Sequence, residues 1–306
     1  AGRTEVPAVS FYGGEPLLRS GLILECCKWA KELSYPKTLR FQFTTNGTCL
    51  TDDVVQGLIS LDAHVIVSVD GPEADHDANR IMPSGAGSHR RILSNLRQMK
   101  ERYPEYYATH VGVNCVVAPN SSPIRVAEFF EQERDLFSSG ILLVGLVSLT
   151  GLKSPHGTGI ELRPQWSEEL GTLRRKYYEL IIRGLDRPKL LDALFLREFV
   201  GIHKRQCARH LPQTVPLNGC CIPGIRRLFL DCNGDYHTCE RINRTLPIGN
   251  VRSGLDIVVI ERIWEQYRSS MMENCLSCWA LRLCSKCFNS VENAHFEHSH
   301  DNCDLI

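Results

Sequence analysis

Ten of the fourteen cysteines in this chain fall between Cys207 and Cys303. Few features limit a fold as tightly, because thiols at that density normally pair as disulfides or ligate metal. Disulfide scaffolds belong mostly to short, secreted, loop-rich chains. Here a long α/β-patterned half comes first, and Ala1–Val9 lacks the basic-then-apolar pattern of a secretory signal. Thiolate–metal ligation is therefore the first reading of the module, and disulfides the second. The other four cysteines, Cys26, Cys27, Cys49 and Cys115, are scattered, and Cys26-Cys27 lie in a helical pattern where buried cysteines act as small hydrophobes.

Ahead of that module, short β-branched or apolar runs alternate with longer amphipathic stretches. Val6–Tyr12, Phe41–Thr45, Val65–Val69, Val111–Val117 and Ile141–Val147 read as strands. Pro16–Leu33, Asp52–Leu61, His89–Arg102 and Pro123–Phe137 read as helices, with Pro16 suited to a first turn and Thr51 to a cap before Asp52 and Asp53. That order implies a parallel sheet, and periodicity alone leaves an open sheet and a barrel equally available. Two helical patterns follow, Trp166–Gly184 and Lys189–Arg209, without an intervening strand. The final part carries strand-like Arg227–Leu230 and Tyr236–Cys239 around an Asn233-Gly234 turn, then a helix near Leu255–Ser269. The expected organisation is an α/β domain over 1–150, a helical connector over 151–217 and a cysteine-rich α+β domain over 218–306.

Thirty-five basic residues balance thirty-five acidic ones, so no electrostatic footprint for nucleic acid or an anionic membrane exists. The longest apolar stretch, Ile141–Leu149, falls well short of the roughly 20 residues that span a bilayer. No nucleic-acid or membrane partner is expected, and the location expected is cytoplasmic.

In parallel α/β folds ligands gather at the carboxyl ends of strands. The first strand ends in Gly13-Gly14-Glu15-Pro16, the second in Thr44-Thr45-Asn46-Gly47 and the third in Ser68-Val69-Asp70-Gly71, while the fourth carries Asn114. Paired glycines let a ligand approach backbone with no Cβ in the way. Glu15 offers a carboxylate to an ammonium group, and the neighbouring hydroxyls and amides suit a ribose or a carboxylate. Any one of these ends is an ordinary βα turn; three in succession point to one shared site.

Phe11-Tyr12-Gly13-Gly14-Glu15-Pro16, Thr45-Asn46-Gly47-Thr48 and Ser68-Val69-Asp70-Gly71-Pro72, followed by His76-Asp77 and Asn79-Arg80, resemble the radical S-adenosylmethionine enzymes. The branch they resemble most carries a C-terminal SPASM domain and includes anaerobic sulfatase maturases and thioether-forming peptide maturases. The resemblance implies a partial (β/α)6 barrel, here lacking its first strand. It makes Gly13, Gly14, Glu15, Thr45, Asn46, Ser68, Asp70, Arg80 and Asn114 the candidates for binding S-adenosylmethionine. It further implies a 5′-deoxyadenosyl radical, a peptide or protein substrate, and an electron donor such as flavodoxin or ferredoxin. The family's C-x3-C-x2-C triplet, which holds the [4Fe–4S] cluster that cleaves the cofactor, is not in this sequence. The expectation is an N-terminally truncated chain, inactive as it stands, whose radical cluster belongs to the full-length protein.

The C-terminal spacing is more specific. Cys221 precedes Gly234 and Cys239, and after a gap come Cys275-x2-Cys278-x5-Cys284-x2-Cys287 and then Cys303. This is similar to the SPASM pattern for two auxiliary [4Fe–4S] clusters, with one residue fewer than usual before Cys287. By that resemblance Cys275, Cys278, Cys284 and Cys303 hold one cluster. Cys221, Cys239 and Cys287 hold the other, with Cys220, Cys232, Cys207 or an open iron position completing it. The residues themselves leave a structural zinc module open, although five residues between Cys278 and Cys284 are tight for paired zinc knuckles. Glu240, directly after Cys239, is the candidate base where similar sulfatase maturases carry Asp. The first expectation is a ribosomal-peptide maturase, thioether formation included. The alternatives are formylglycine formation in a sulfatase and, from another class, a zinc-stabilised binding module without catalysis.

Overall fold

The computed structural model describes residues 6–33, 39–138, 141–146, 162–203, 221, 223–225, 227–240 and 246–275. The chain divides into two compact units, Ala1–Phe199 and Val200–Ile306.

The first unit is built on five parallel strands: β1 (Ala8–Phe11), β2 (Arg40–Thr45), β3 (His64–Ser68), β4 (Val111–Val117) and β5 (Ile141–Leu146). Each pairs with its predecessor, giving the order β1-β2-β3-β4-β5. The chain thus winds in one direction without the reversal that defines a doubly wound sheet. Between and after the strands run α1 (Ser20–Glu32), α2 (Asp52–Ser60), α3 (Glu73–Asp77), α4 (His89–Arg102), α5 (Pro104–His110), α6 (Pro123–Gln132), α7 (Trp166–Ile182) and α8 (Lys189–His203).

Side-chain alternation decides which face the helices cover. Phe41 and Phe43, Val65, Val67 and Val69, and Val111, Val113, Cys115 and Val117 share one parity in register and enter one apolar cluster. Cys27 of α1, Val55 and Leu58 of α2, Leu96 of α4, and Val126 and Phe129 of α6 join it. Trp166 and Tyr177 of α7 and Leu190, Leu191 and Phe195 of α8 belong to the same cluster, so the helices after β5 pack as part of this unit. Each fully buried aliphatic or aromatic side chain of this kind contributes about 2 kcal/mol of transfer free energy. The opposite parity presents Ser10, Gln42, Thr44, Ile66, Ser68, Gly112 and Asn114 on the other face, which adds nothing to that cluster.

Several boundaries differ from expectation for local reasons. The Pro16–Leu33 pattern opens as a 3-10 turn, Pro16–Arg19, capped by the Glu15 side chain, before α1 proper. Thr51 occupies the cap position of α2 without a side-chain capping bond. Ser122 does cap α6, accepting from the Arg125 N–H at 3.3 Å ahead of Pro123. The helix from Lys189 is described to His203, and Val147 and 204–209 lie outside the described residues.

The second unit contains a small antiparallel sheet, β6 (Phe229–Leu230), β7 (Asp235–His237), β8 (Gly249–Asn250) and β9 (Gly254–Leu255), followed by α9 (Ile257–Cys275). The Asn233-Gly234 turn joins β6 to β7 as expected, with Gly234 at φ +88°. Ile248, Ile263, Tyr267, Met271 and Cys275 form its core. The last helix is longer than its sequence pattern and carries Cys275 as its final residue.

Candidate active site

The carboxyl ends of β1, β2, β3 and β4 meet on one rim of the sheet. Glu15 stitches the first two ends together. Its Oε1 accepts from the Leu17 N–H at 3.0 Å and the Thr45 hydroxyl at 2.7 Å, and its Oε2 accepts from the Asn46 N–H at 2.6 Å. A carboxylate offers about four lone-pair positions, so Oε2 retains acceptor capacity for an outside donor. Thr45 is buried on the helix-covered side, and its hydroxyl also accepts from the Gly47 N–H at 3.0 Å. Its function is therefore to hold Glu15. Asn46 turns its Oδ1 back to the Thr48 N–H at 2.9 Å and hydroxyl at 2.7 Å, shaping the turn. A Cβ built on Gly13 or Gly14 meets nothing within 4 Å, so open space lies against this backbone.

Ser68 and Asn114 are register partners on the bare face. Neither side chain makes a hydrogen bond among the described residues, which leaves a hydroxyl and an amide side by side for a ligand. Asp70 lies one strand step beyond Ser68, buried, and grips Arg80 through both carboxylate oxygens, the Nη2–Oδ1 contact being 3.2 Å. Oδ1 also accepts from the Val116 N–H at 2.9 Å. The Arg80 side chain is 30% exposed, so its remaining N–H groups can reach outward.

The segment between them is heavily pinned. His76, fully buried, accepts the Asp70 N–H on Nδ1 at 3.1 Å and contacts the Ser88 hydroxyl through Nε2 at 3.0 Å. Burial pushes its pKa down to about 4, opposed by Asp70 and Asp77 and aided by His89 and Arg80, so the ring is neutral at neutral pH. Asp77 Oδ1 accepts the N–H groups of Ser88 at 2.9 Å and His89 at 3.0 Å, at the start of α4. Burial also lowers the pKa of His89, whose Nε2 is buried with no partner among the described residues. Asp75, nearby and buried, binds Arg125 at 2.8 Å and the Ser122 N–H at 2.9 Å, tying α3 to α6.

The rim therefore gathers Gly13, Gly14, Glu15, Asn46, Ser68, Asp70, Arg80 and Asn114, with Thr45 one layer behind. Sequence reading missed Gln42 on the bare face, and it named Thr44 and His76 only as members of motifs, without a role for either. The polar–apolar alternation of Arg40–Thr45 was the available signal for Gln42.

The thiols of this unit do not make a cluster site. Burial pushes the Cys27 thiol up to about 11 and that of Cys115 well above its ordinary value, which favours inert thiols over thiolates. Cys26 is exposed on α1 and Cys49 follows β2. Among the described residues no group of three or more His, Cys, Asp or Glu side chains could hold a metal ion.

In the second unit Cys221, Cys232, Cys239 and Cys275 are described, and Cys207, Cys220, Cys278, Cys284, Cys287 and Cys303 lie outside the described residues. Cys232 is exposed in the β6–β7 turn, whereas Cys275 is buried with its Sγ 3.7 Å from Met271 Sδ. The carboxylate of Glu240 lies 3.6 Å from Arg227. Asp231 accepts the Asn233 N–H at 2.8 Å, the Asp235 N–H at 3.0 Å and His237 Nε2 at 3.2 Å. The hydrogen bonds from the Asp235 and Asn233 backbone, with that from His237, hold its carboxyl below the usual range. No described helix is long and apolar enough to cross a membrane.

Comparison with known proteins shows what this chain is similar to. Residues 1–132 match the Radical SAM superfamily. The chain is 26% identical over 203 residues, 64% of its length and 67% of the relative's, to an uncharacterized protein of Methanocaldococcus jannaschii. Its fold is similar to solved structures of anSMEcpe, an anaerobic sulfatase-maturating enzyme. With bound AdoMet, one such structure aligns at a TM-score of 0.65 and 19% identity, covering 91% of this chain and 74% of that one. Another, with AdoMet and the Kp18Cys peptide, gives 0.62 and 18% over 91% and 74% of the two chains. A third, with AdoMet and the Cp18Cys peptide, gives 0.65 and 19% over 95% and 79%.

Proposed function

We propose, from the premise that residues 1–132 form a domain of the radical SAM superfamily, that this chain binds S-adenosylmethionine on the bare face of a partial (β/α)6 barrel and acts on a peptide. The observation that carries the reading is the juxtaposition of unengaged Ser68 and Asn114 with the Asp70-held Arg80, beside open space at Gly13-Gly14. Those groups fit the ligand's parts. The spare capacity of Glu15 Oε2 accepts from its ammonium, while Ser68, Asn114 and Arg80 bind ribose hydroxyls and carboxylate. When bound in this superfamily, the group supplies hydrogen-atom abstraction from a substrate. The chain's own residues bind and orient it and keep water from the bare face. The thiols of the first unit do not fit the cleaving cluster, so no step through that cluster is assigned to them.

In the second unit, residues 218–306 act as a SPASM domain with two auxiliary [4Fe–4S] clusters. One is held by Cys275, Cys278, Cys284 and Cys303; the other by Cys221, Cys239 and Cys287, with Cys220, Cys232, Cys207 or an open iron position as the fourth. Their partner in electron transfer is a flavodoxin or ferredoxin. The favoured activity is maturation of a ribosomal peptide, including thioether formation, with Glu240 as base or substrate contact. Formylglycine formation is the second reading, favoured by the likeness to anSMEcpe with bound peptides. The test is calorimetric titration of the protein with S-adenosylmethionine. Micromolar binding, weakened at least tenfold in Ser68→Ala/Asn114→Ala, supports the site; equal binding by the double variant removes it.

A further inference from the structure

Arg80 reaches the rim from a loop, and a loop arginine positions a ligand only if its backbone and guanidinium are both fixed. Each of those constraints leads to one residue. Asp70, which grips the guanidinium, has its own N–H held by His76 Nδ1 at 3.1 Å. Because Nδ1 accepts there, the neutral ring carries its proton on Nε2 and donates it to Ser88 Oγ at 3.0 Å. The Ser88 hydroxyl then donates to the Arg80 carbonyl at 2.9 Å. The Arg80 N–H, finally, donates to the His76 carbonyl at 2.9 Å. His76 therefore stands at the origin of three separate routes to Arg80: through the carboxylate that grips its head, through the hydroxyl that holds its carbonyl, and directly at its amide.

The loop itself is closed around these contacts. Ile81 and Gly87 form a bridge, and the Asp77 carboxylate fills the place that a Gly87 Cβ would occupy. The backbone of Ser88 is thus set by Asp77 while its hydroxyl is set by His76. His76 has no exposed surface, so it cannot touch a ligand on the bare face.

We infer that His76 is a positioning residue that sets Arg80, by way of Asp70 and Ser88, for binding the carboxylate or ribose of S-adenosylmethionine, an assignment that rests on the reading of the rim as that ligand's site. Two substitutions divide its roles. In His76→Asn the amide oxygen replaces Nδ1 as acceptor for the Asp70 N–H, whereas His76→Ala removes both ring contacts.

Titration of the anaerobically purified protein with S-adenosylmethionine tests the assignment as a double-mutant cycle with Arg80→Ala. His76→Ala is expected to weaken binding about tenfold and His76→Asn by threefold or less. In the Arg80→Ala background, His76→Ala is expected to change affinity no further. Ser88→Ala, which cuts only the hydroxyl route, is expected to behave as a weaker His76→Ala and to lose its effect in the same background. This variant reads the assignment if His76→Ala does not fold. Undiminished binding by His76→Ala, or an equal loss with and without Arg80, overturns the positioning role. Failure of the wild-type chain to bind overturns the site reading instead.

Discussion

At the scale of single residues, burial leaves the His76 ring with one available protonation state. His76 has no solvent contact, and its ring must accept at Nδ1 and donate at Nε2. Protonating Nδ1 would place two N–H groups against each other at the Asp70 amide. The unfolded chain has no such restriction, and its histidine takes a proton near pH 6.5. Between that value and the native value of about 4, the unfolded state binds a proton that the native state does not. Stability is therefore whole above about pH 6.5 and falls as the pH drops toward 4, by up to about 3 kcal/mol for this ring. Burial dominates, since Asp70 and Asp77 oppose the shift while His89 and Arg80 assist it. His89 is shifted in the same direction and steepens the same limb. Urea unfolding at pH 7.5 and pH 5 is expected to show about 2 kcal/mol of this loss in the wild type and a clearly smaller one in His76→Asn. Identical losses would mean that other groups, such as protonating carboxylates, carry the acid limb.

At the scale of elements, the strand ends do two different jobs, and glycine substitution separates them. Gly47 closes the turn after β2 at φ +76°, and a Cβ there would lie 2.7 Å from Val67 Cγ1 and 3.0 Å from Ile92 Cγ2. Both neighbours are core side chains, so Gly47→Ala is expected to cost about 2–3 kcal/mol through backbone strain and overpacking. Gly14, by contrast, faces open space. Gly14→Ala is expected to melt within a degree or two of the wild type while weakening S-adenosylmethionine binding, as thermal melts and titrations of both variants would show. The elements that bear these turns were legible because Val, Ile and Phe runs alternate with amphipathic stretches at regular intervals. What escaped notice had no period to reveal it: α3 spans Glu73–Asp77, and β8 and β9 have two residues each. Long-range pairing was equally invisible. Asp70 and Arg80 could each be named as ligand contacts from motif position, but nothing in their spacing announces that they bind each other. His76 lies in the same motif, yet its contacts run to residues six before and twelve after it. At the far end, α9 outlasts its apolar pattern and delivers Cys275 from a helix rather than a loop.

At the scale of the whole molecule, the two units are stabilised differently. The parallel-sheet unit closes a large apolar cluster drawn from all five of its strands and most of its helices. In the second unit the described strands are two or three residues long, and the core among the described residues comprises Ile248, Ile263, Tyr267, Met271 and Cys275, with Tyr236, Leu246, Val259, Ile260 and Trp264 around it. A core of that size rarely supplies more than about 3–5 kcal/mol, and small domains of this kind commonly depend on metal ligation. If the cysteines hold iron–sulfur clusters, cluster assembly is also the folding energy of this unit. Hydrogen exchange is the measurement that resolves the two units separately. Amides of β6–β9 and α9 are expected to be protected in anaerobically reconstituted protein carrying about eight iron and matching sulfide. In chelator-stripped protein they are expected to exchange rapidly, while amides of β2, β3 and β4 remain unchanged. Protection restored by zinc alone, without sulfide, would instead identify a tetrahedral thiolate site. Protection that survives with no metal would show that the small core suffices, and the crowding of cysteines would then need a reason other than stability.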